Sequence, residues 1–181
     1  YEFALPIYKR SELSKMVEQL MDCEIILFST YVWNINISLA IADELKRLDK
    51  EKLIVFGGPS APDVSEKFLR KYNFIDCISH QEGERTITSI LDNFPDSSWQ
   101  EVAGISYLHK QDVFKQNKCL PKMRDISKLP SPYLTGVFDD LIKKNPNEQW
   151  LASWETNRGC PFSCTFCDWG SAISSKVSRM D

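Results

Sequence analysis

The sequence predicts an α/β protein built on a parallel sheet that helices cover on both faces. Three observations point there. Short apolar runs without polar alternation recur at "EIILF" (24–28), "KLIVF" (52–56) and "FIDCIS" (74–79). Strands that lack a polar face are buried on both sides. Amphipathic segments separate the runs, and each run ends in small, polar or glycine residues. Strand and helix in alternation give a doubly wound parallel sheet.

The elements follow in order. In "SELSKMVEQLM", Leu13, Met16, Val17, Leu20 and Met21 fall at helical spacing, with Ser11 as the expected N-cap. A second helix is expected over "ISLAIADELKRL", where Leu39, Ala42 and Leu45 share a face. A third, "PDVSEKFLRKY", is expected to begin through Pro62 and Asp63. The fourth, "ERTITSILDNF", keeps Ile87, Ile90, Leu91 and Phe94 in register. "GISYLHKQDVFKQ" reads as an antiparallel hairpin at the sheet edge. Ile105 and Tyr107 are expected to face Val113 across a turn at Lys110, Gln111 and Asp112.

From about Leu120 the texture changes. Pro121, Pro130, Pro132 and Pro146 punctuate it, and "LPSPYL" does not suit a regular helix. Tyr133, Leu134 and Phe138 suggest a linker that packs on something. "QWLASWET" then reads as a new strand leading into a cysteine-rich loop. The expected division is a first domain over 1–119, a linker over 120–148 and the opening of a second domain over 149–181.

Hydrophobic residues make up 43% of the 181 and charged residues 26%, which is a globular rather than a disordered composition. A net charge of -3 gives no ground for expecting nucleic acid or an anionic membrane as partner. No apolar run approaches a membrane span. The first residue is Tyr1 rather than Met, so further sequence upstream is expected. Cys23, Cys77 and Cys119 are scattered and read as small buried hydrophobes in a reducing, cytoplasmic setting.

In such a sheet, ligands bind beyond the carboxyl ends of the strands. Those positions are "STYVWN" (29–34), "GGPSAP" (57–62) and "HQEGERT" (80–86). Candidate ligand contacts are Ser29, Thr30, Tyr31 and Trp33 in the first, Gly57, Gly58 and Pro59 in the second, and Glu82, Gly83 and Glu84 in the third. Tyr31 and Trp33 suit a large flat ligand, and the glycines let it approach the backbone. Each has a plainer alternative. The glycines also suit a tight strand-to-helix turn, Trp33 the packing of a helix start, and Glu84 the helix dipole. The glycine pattern is not G-x-G-x-x-G, which weakens a nicotinamide reading.

"CPFSCTFCDWG" sets Cys160, Cys164 and Cys167 in a C-x3-C-x2-C pattern. Structural zinc takes four protein ligands, whereas this cluster has three cysteines and both histidines lie far upstream. A disulfide would leave one thiol over. Three thiolates better suit a [4Fe–4S] cube whose fourth iron stays open to a small chelating molecule.

The C-x3-C-x-Φ-C spacing, with Phe166 as the aromatic and Arg158-Gly159 ahead of it, resembles the signature of the radical S-adenosylmethionine (radical SAM) superfamily. The resemblance implies a [4Fe–4S] cluster on Cys160, Cys164 and Cys167. S-adenosylmethionine would bind its open iron, with Phe166 contacting the adenine and reductive cleavage giving a 5′-deoxyadenosyl radical. The region upstream is similar to the Rossmann-like (flavodoxin-like) cobalamin-binding domain found in one branch of that superfamily. "STYVWN", "GGPSAP" and "EGERT" stand where its three ligand loops would be.

The chain lacks D-x-H-x-x-G, so no histidine is expected below the cobalt, whose lower face would meet the loop from Tyr31 to Trp33. The glycine-rich segment that binds the methionine amino group is also missing. A full barrel needs on the order of 200 residues, so only the first strand and cluster loop of a partial (β/α) barrel are expected here, in a fragment of an enzyme. The resemblance implies a methyltransferase acting on a small molecule or peptide and reduced by a flavodoxin or ferredoxin. Ring rearrangement, cyclisation, a corrinoid-binding module without chemistry and a structural zinc loop are the alternatives.

Overall fold

The computed structural model describes residues 1–94, 96, 98–109, 112–160, 162, 164–166 and 177–179. They form two compact units, 1–121 and 122–181.

The first unit runs α1 (Leu13–Leu20), β1 (Ile25–Ser29), α2 (Ile35–Leu48), β2 (Leu53–Gly57), α3 (Glu66–Lys71), β3 (Cys77–Ser79), α4 (Gly83–Asn93), β4 (Ile105–His109) and β5 (Val113–Gln116). The five strands lie in the order β1-β2-β3-β4-β5. β1, β2 and β3 are mutually parallel, and β4 and β5 add an antiparallel hairpin. The expected α/β sheet with its added hairpin is therefore present.

Side-chain alternation divides the core in two. Ile26, Ile54, Phe56 and Ile78 face Met16 and Val17 of α1, Ile41, Ala42 and Leu45 of α2, and Leu69 of α3. Leu53, Val55, Cys77, Ile105 and Tyr107 face Ile90 of α4 and Val102. Two right-handed crossovers that step in one direction place their helices on one face. The antiparallel return into β4 lets α4 cover the other.

Buried charges pin the amino ends of the strands. Lys46 Nζ donates to Asp76 Oδ1 and Oδ2 at 3.0 and 2.9 Å, and the Ile54 N–H donates to Asp76 Oδ2 at 2.7 Å. Burial pushes the Asp76 carboxyl above its ordinary range, while the Ile54 and Lys46 hydrogen bonds oppose that rise. Lys52, at 3% exposure, donates to Met21 O (2.6 Å) and Cys23 O (2.8 Å), and its Nζ lies 3.6 Å from Asp49. Such a lysine survives burial only because carbonyls and a carboxylate surround its ammonium.

Several boundaries differ from expectation. α1 begins one residue later than a Ser11 cap implies. Glu12 stands at the N-cap, its carbonyl accepts from Met16 N–H, and no side chain caps the helix. α3 is entered through Ser65, with Pro62 and Asp63 in the turn before it. In the hairpin, Val113 pairs with His109, and Tyr107 pairs with Lys115. Asp112 has φ 60, a left-handed residue suited to closing a three-residue hairpin loop. Lys110 and Gln111 lie outside the described residues.

In the second unit, Asp125 accepts from Ser127 N–H at 3.0 Å and caps a single 3-10 turn, Ile126–Lys128. The proline-rich linker also holds α5 (Asp139–Lys144), and Tyr133 packs against Phe138 with ring centroids 5.5 Å apart. The Tyr133 hydroxyl donates to Ser153 O and accepts from Ser153 N–H, each at 3.0 Å. No strand forms over 149–156. Leu151 and Trp154 are exposed there, and pairing begins only with β6 (Asn157–Arg158) against β7 (Ser178–Arg179). A strand needs a partner for its backbone groups, and among the described residues β7 reaches only those two. No described helix is long and apolar enough to cross a membrane.

Asp76→Ala removes the acceptor from both Ile54 N–H and Lys46. It is expected to lower unfolding stability by about 3 kcal/mol in urea titration. Asp76→Asn keeps an acceptor for Ile54 and is expected to lose less.

Candidate functional site

The carboxyl ends of β1, β2 and β3 lie side by side. Ser29 pairs with Gly57, and a Cβ built on Gly57 would meet Ser79 at 3.6 Å. The three loops singled out in the sequence therefore leave the sheet along one edge.

Backbone contact fuses the first two loops. Thr30 is fully buried, and both its N–H and its Oγ1 donate to Gly57 O at 2.7 Å. Its carbonyl accepts from Ser60 N–H at 3.0 Å. Gly58 has φ +90, and a Cβ there would stand 2.8 Å from both Thr30 N and Thr30 O. Gly58 thus serves a close backbone crossing, while a Cβ on Gly57 or Gly83 would make only ordinary van der Waals contact, with Ser79 at 3.6 Å and Ile87 at 3.9 Å. Pro59 and Ser29 are exposed beside them.

The first loop is closed by Asn34, which the sequence reading passed over. Its Oδ1 accepts from Tyr31 N–H at 2.7 Å, and its Nδ2 donates to Ser29 O at 2.9 Å. Asn just before a helix is the signal that could have found it. The closed loop stacks Tyr31 on Trp33, with centroids 4.6 Å apart and planes 10° from parallel. Trp33 remains 67% exposed and Val32 82%, so this apolar platform faces outward rather than packing the helix start. Arg10 donates to the Trp33 carbonyl at 2.9 Å, a contact with no local sequence signal.

The third loop leaves β3 through His80 and Gln81. His80 is buried, its N–H donates to Gly104 O at 2.8 Å, and its Nε2 lies 2.8 Å from Ser106 Oγ. Burial holds the imidazole below the ordinary histidine range, with the Asp63 charge opposing. Gln81 has φ 60, after which Glu82 takes the N-cap place and Gly83 opens α4. Glu82 is half-buried, 3.9 Å from Arg85, and Glu84 lies exposed in the first turn. Both expected roles of Glu84, ligand contact and dipole partner, fit that place. The other histidine, His109, is in β4 beyond the partner of Cys77, at the opposite end of the sheet.

In the second unit, Gly159 has φ +99 and turns the chain after β6, where Arg158 Nε donates to Glu155 at 2.9 Å. Cys160 is half-buried, and Cys164 is exposed with Phe166. Cys167 lies outside the described residues, and no metal-binding group of three forms among those described.

The chain matches no family model. It is 33% identical over its whole length to the cobalamin-dependent radical SAM methyltransferase TokK of Streptomyces tokunonensis, covering 27% of that protein. It is also 33% identical to the 2-(S-pantetheinyl)-carbapenam-3-carboxylate methyltransferase of Streptantibioticus cattleyicolor, again with 27% covered. The resemblance to cobalamin-dependent radical SAM proteins holds along the entire chain. The chain spans about a quarter of these relatives' length. In fold, it matches the cobalamin-dependent S-adenosylmethionine radical enzyme OxsB, solved with aqua-cobalamin and S-adenosylmethionine bound, at a TM-score of 0.72 and 22% identity. That match covers 93% of this chain and 23% of OxsB.

Gly58→Ala forces a Cβ into the Thr30 backbone and a left-handed φ on alanine. It is expected to cost at least about 2 kcal/mol in thermal unfolding. Thr30→Val should cost about 1 kcal/mol, since one hydroxyl bond is lost and the backbone bond stays.

Proposed function

We propose that residues 1–121 hold a corrinoid across the ends of β1, β2 and β3, within a cobalamin-dependent radical SAM methyltransferase. The stacked, outward-facing Tyr31–Trp33 pair beside the exposed Gly58 and Pro59 carries this reading. A large planar ligand gains most from such a site, because it buries exposed aromatic area and comes close to peptide groups. The 33% identity over the full chain to two methyltransferases supports the same conclusion.

The residues fit the group in chemical kind. Ser29, Pro59, Gly83 and Glu84 rim the face with polar and small groups suited to the ligand's amide side chains. Thr30 acts from beneath, as the clamp between two loops. His80 keeps its Nε2 on Ser106 and His109 sits at the far end of the sheet, so the face offers aromatic surface rather than imidazole to the cobalt.

For the second unit, Cys160, Cys164 and Cys167 would hold a [4Fe–4S] cluster, and Phe166 would lie against the adenine of S-adenosylmethionine. When bound, the cluster would supply the electron that cleaves S-adenosylmethionine and the corrinoid would carry the methyl group, while the chain's own residues bind, orient and exclude water. The substrate is expected to be a small molecule or peptide, and the electron donor a flavodoxin or ferredoxin.

Anaerobic purification with iron, sulfide, zinc and cobalt analysis tests the assignment. About four irons and four sulfides per chain are expected, and zinc without iron would refute the cluster. Cys164→Ala should abolish iron binding and leave corrinoid affinity unchanged. Trp33→Ala should weaken corrinoid binding by about tenfold, measured by visible absorbance titration. Unchanged affinity in that variant would remove the aromatic platform from the site.

A further inference from the structure

We infer that His80 is a positioning residue for the third ligand loop, acting through its buried contact with Ser106. This rests on the corrinoid reading for its purpose, although its structural basis does not.

Gln81 adopts φ 60 and has a Cβ. A residue with a Cβ is strained in that left-handed conformation, and such strain persists only where the surroundings over-determine it. On its far side the chain is fixed by α4, which begins at Gly83. On its near side His80 provides the anchor. Its N–H is held by Gly104 O at 2.8 Å, and its ring is held by Ser106 Oγ at 2.8 Å. Ser106 is fully buried in β4, so the ring is tied to the sheet itself rather than to another loop.

The arrangement allows little slack. Gly104 has φ +74, and a Cβ there would crowd Thr86 Oγ1 at 3.2 Å and approach His80 O at 3.7 Å. His80, Gly104 and Thr86 therefore lie close together, and Thr86 Oγ1 in turn is 3.5 Å from Glu82 O. Releasing the ring lets Gln81 relax out of its left-handed conformation. Glu82, Gly83 and Glu84 then move together, because they are the start of one helix. A phenylalanine at 80 would fill the space but make no bond, and it would leave the Ser106 hydroxyl buried without its partner.

The test compares the wild-type chain with His80→Phe, His80→Gln, Ser106→Ala and the His80→Phe/Ser106→Ala double variant. Glutamine can return a nitrogen to Ser106. Amide hydrogen exchange over 81–86 is read without ligand, and cob(II)alamin affinity is read by absorbance titration. His80→Phe is expected to speed exchange in that segment and to weaken affinity, each by about tenfold. His80→Gln should stay within about threefold of wild type, and the double variant should be no worse than His80→Phe alone. The role is overturned if His80→Phe matches wild type in exchange, if His80→Gln behaves as His80→Phe, or if exchange rises evenly across the sheet. A wild-type chain that binds no cob(II)alamin would overturn the corrinoid reading instead, and the exchange comparison would still decide the role of His80.

Discussion

The close crossing of Thr30 over Gly57 and Gly58 is the constraint on which the loops at the strand ends depend. One carbonyl, Gly57 O, takes both the N–H and the hydroxyl of Thr30, and Ser60 N–H returns to the Thr30 carbonyl. Two loops from neighbouring strands thereby become one body. Everything exposed on that body inherits its geometry from backbone contacts, including the Tyr31–Trp33 stack. Backbone contact of this kind leaves no room for a Cβ, which is why the second glycine is structural, while a Cβ on the first would make only ordinary contact with Ser79.

The likeness to cobalamin-dependent radical SAM enzymes and the geometry of the loops answer different questions. The sequence comparisons bear on the whole chain, without saying which residues hold a ligand. The geometry bears on residues. It separates those at the surface of the face, such as Trp33 and Glu84, from Thr30, which lies entirely beneath it. The second unit carries Cys160, half-buried, and Cys164, exposed, and Cys167 lies outside the described residues.

β2 and β3 were legible because they are buried on both faces, so their sequence is uniformly apolar, whereas β1 is equally apolar yet leaves Leu27 exposed at the sheet edge. The helices were legible from spacing, since α1, α2 and α4 each bury one stripe. Hairpin parity was legible as well, but the ladder position was not. Alternation shows which residues share a face, while the loop closed by Asp112 sets which residue meets which. The stretch from Gln149 to Thr156 misled for another reason. Its apolar residues are those of a strand, yet strand formation depends on a partner that local sequence does not reveal. In the site, the glycines and aromatics stood out by type. Asn34, Arg10 and His80 act through contacts with residues such as Ser29, Trp33 and Ser106, and two of those three contacts cross long sequence gaps.

The sheet also has two electrically unlike ends. Lys46, Lys52, Asp49 and Asp76 gather where β2 and β3 begin, held by carbonyls, one amide and each other. Where the strands finish, the buried groups are a threonine, a serine and an imidazole that burial keeps uncharged. The Lys46–Asp76 pair and the buried Lys52 thus lie at one pole, and the exposed aromatic pair lies at the other. Substitutions at exposed loop positions such as Trp33 and Glu84 leave that ionic anchor untouched, whereas the buried Thr30–Gly58 crossing at the same end is a stability constraint of its own.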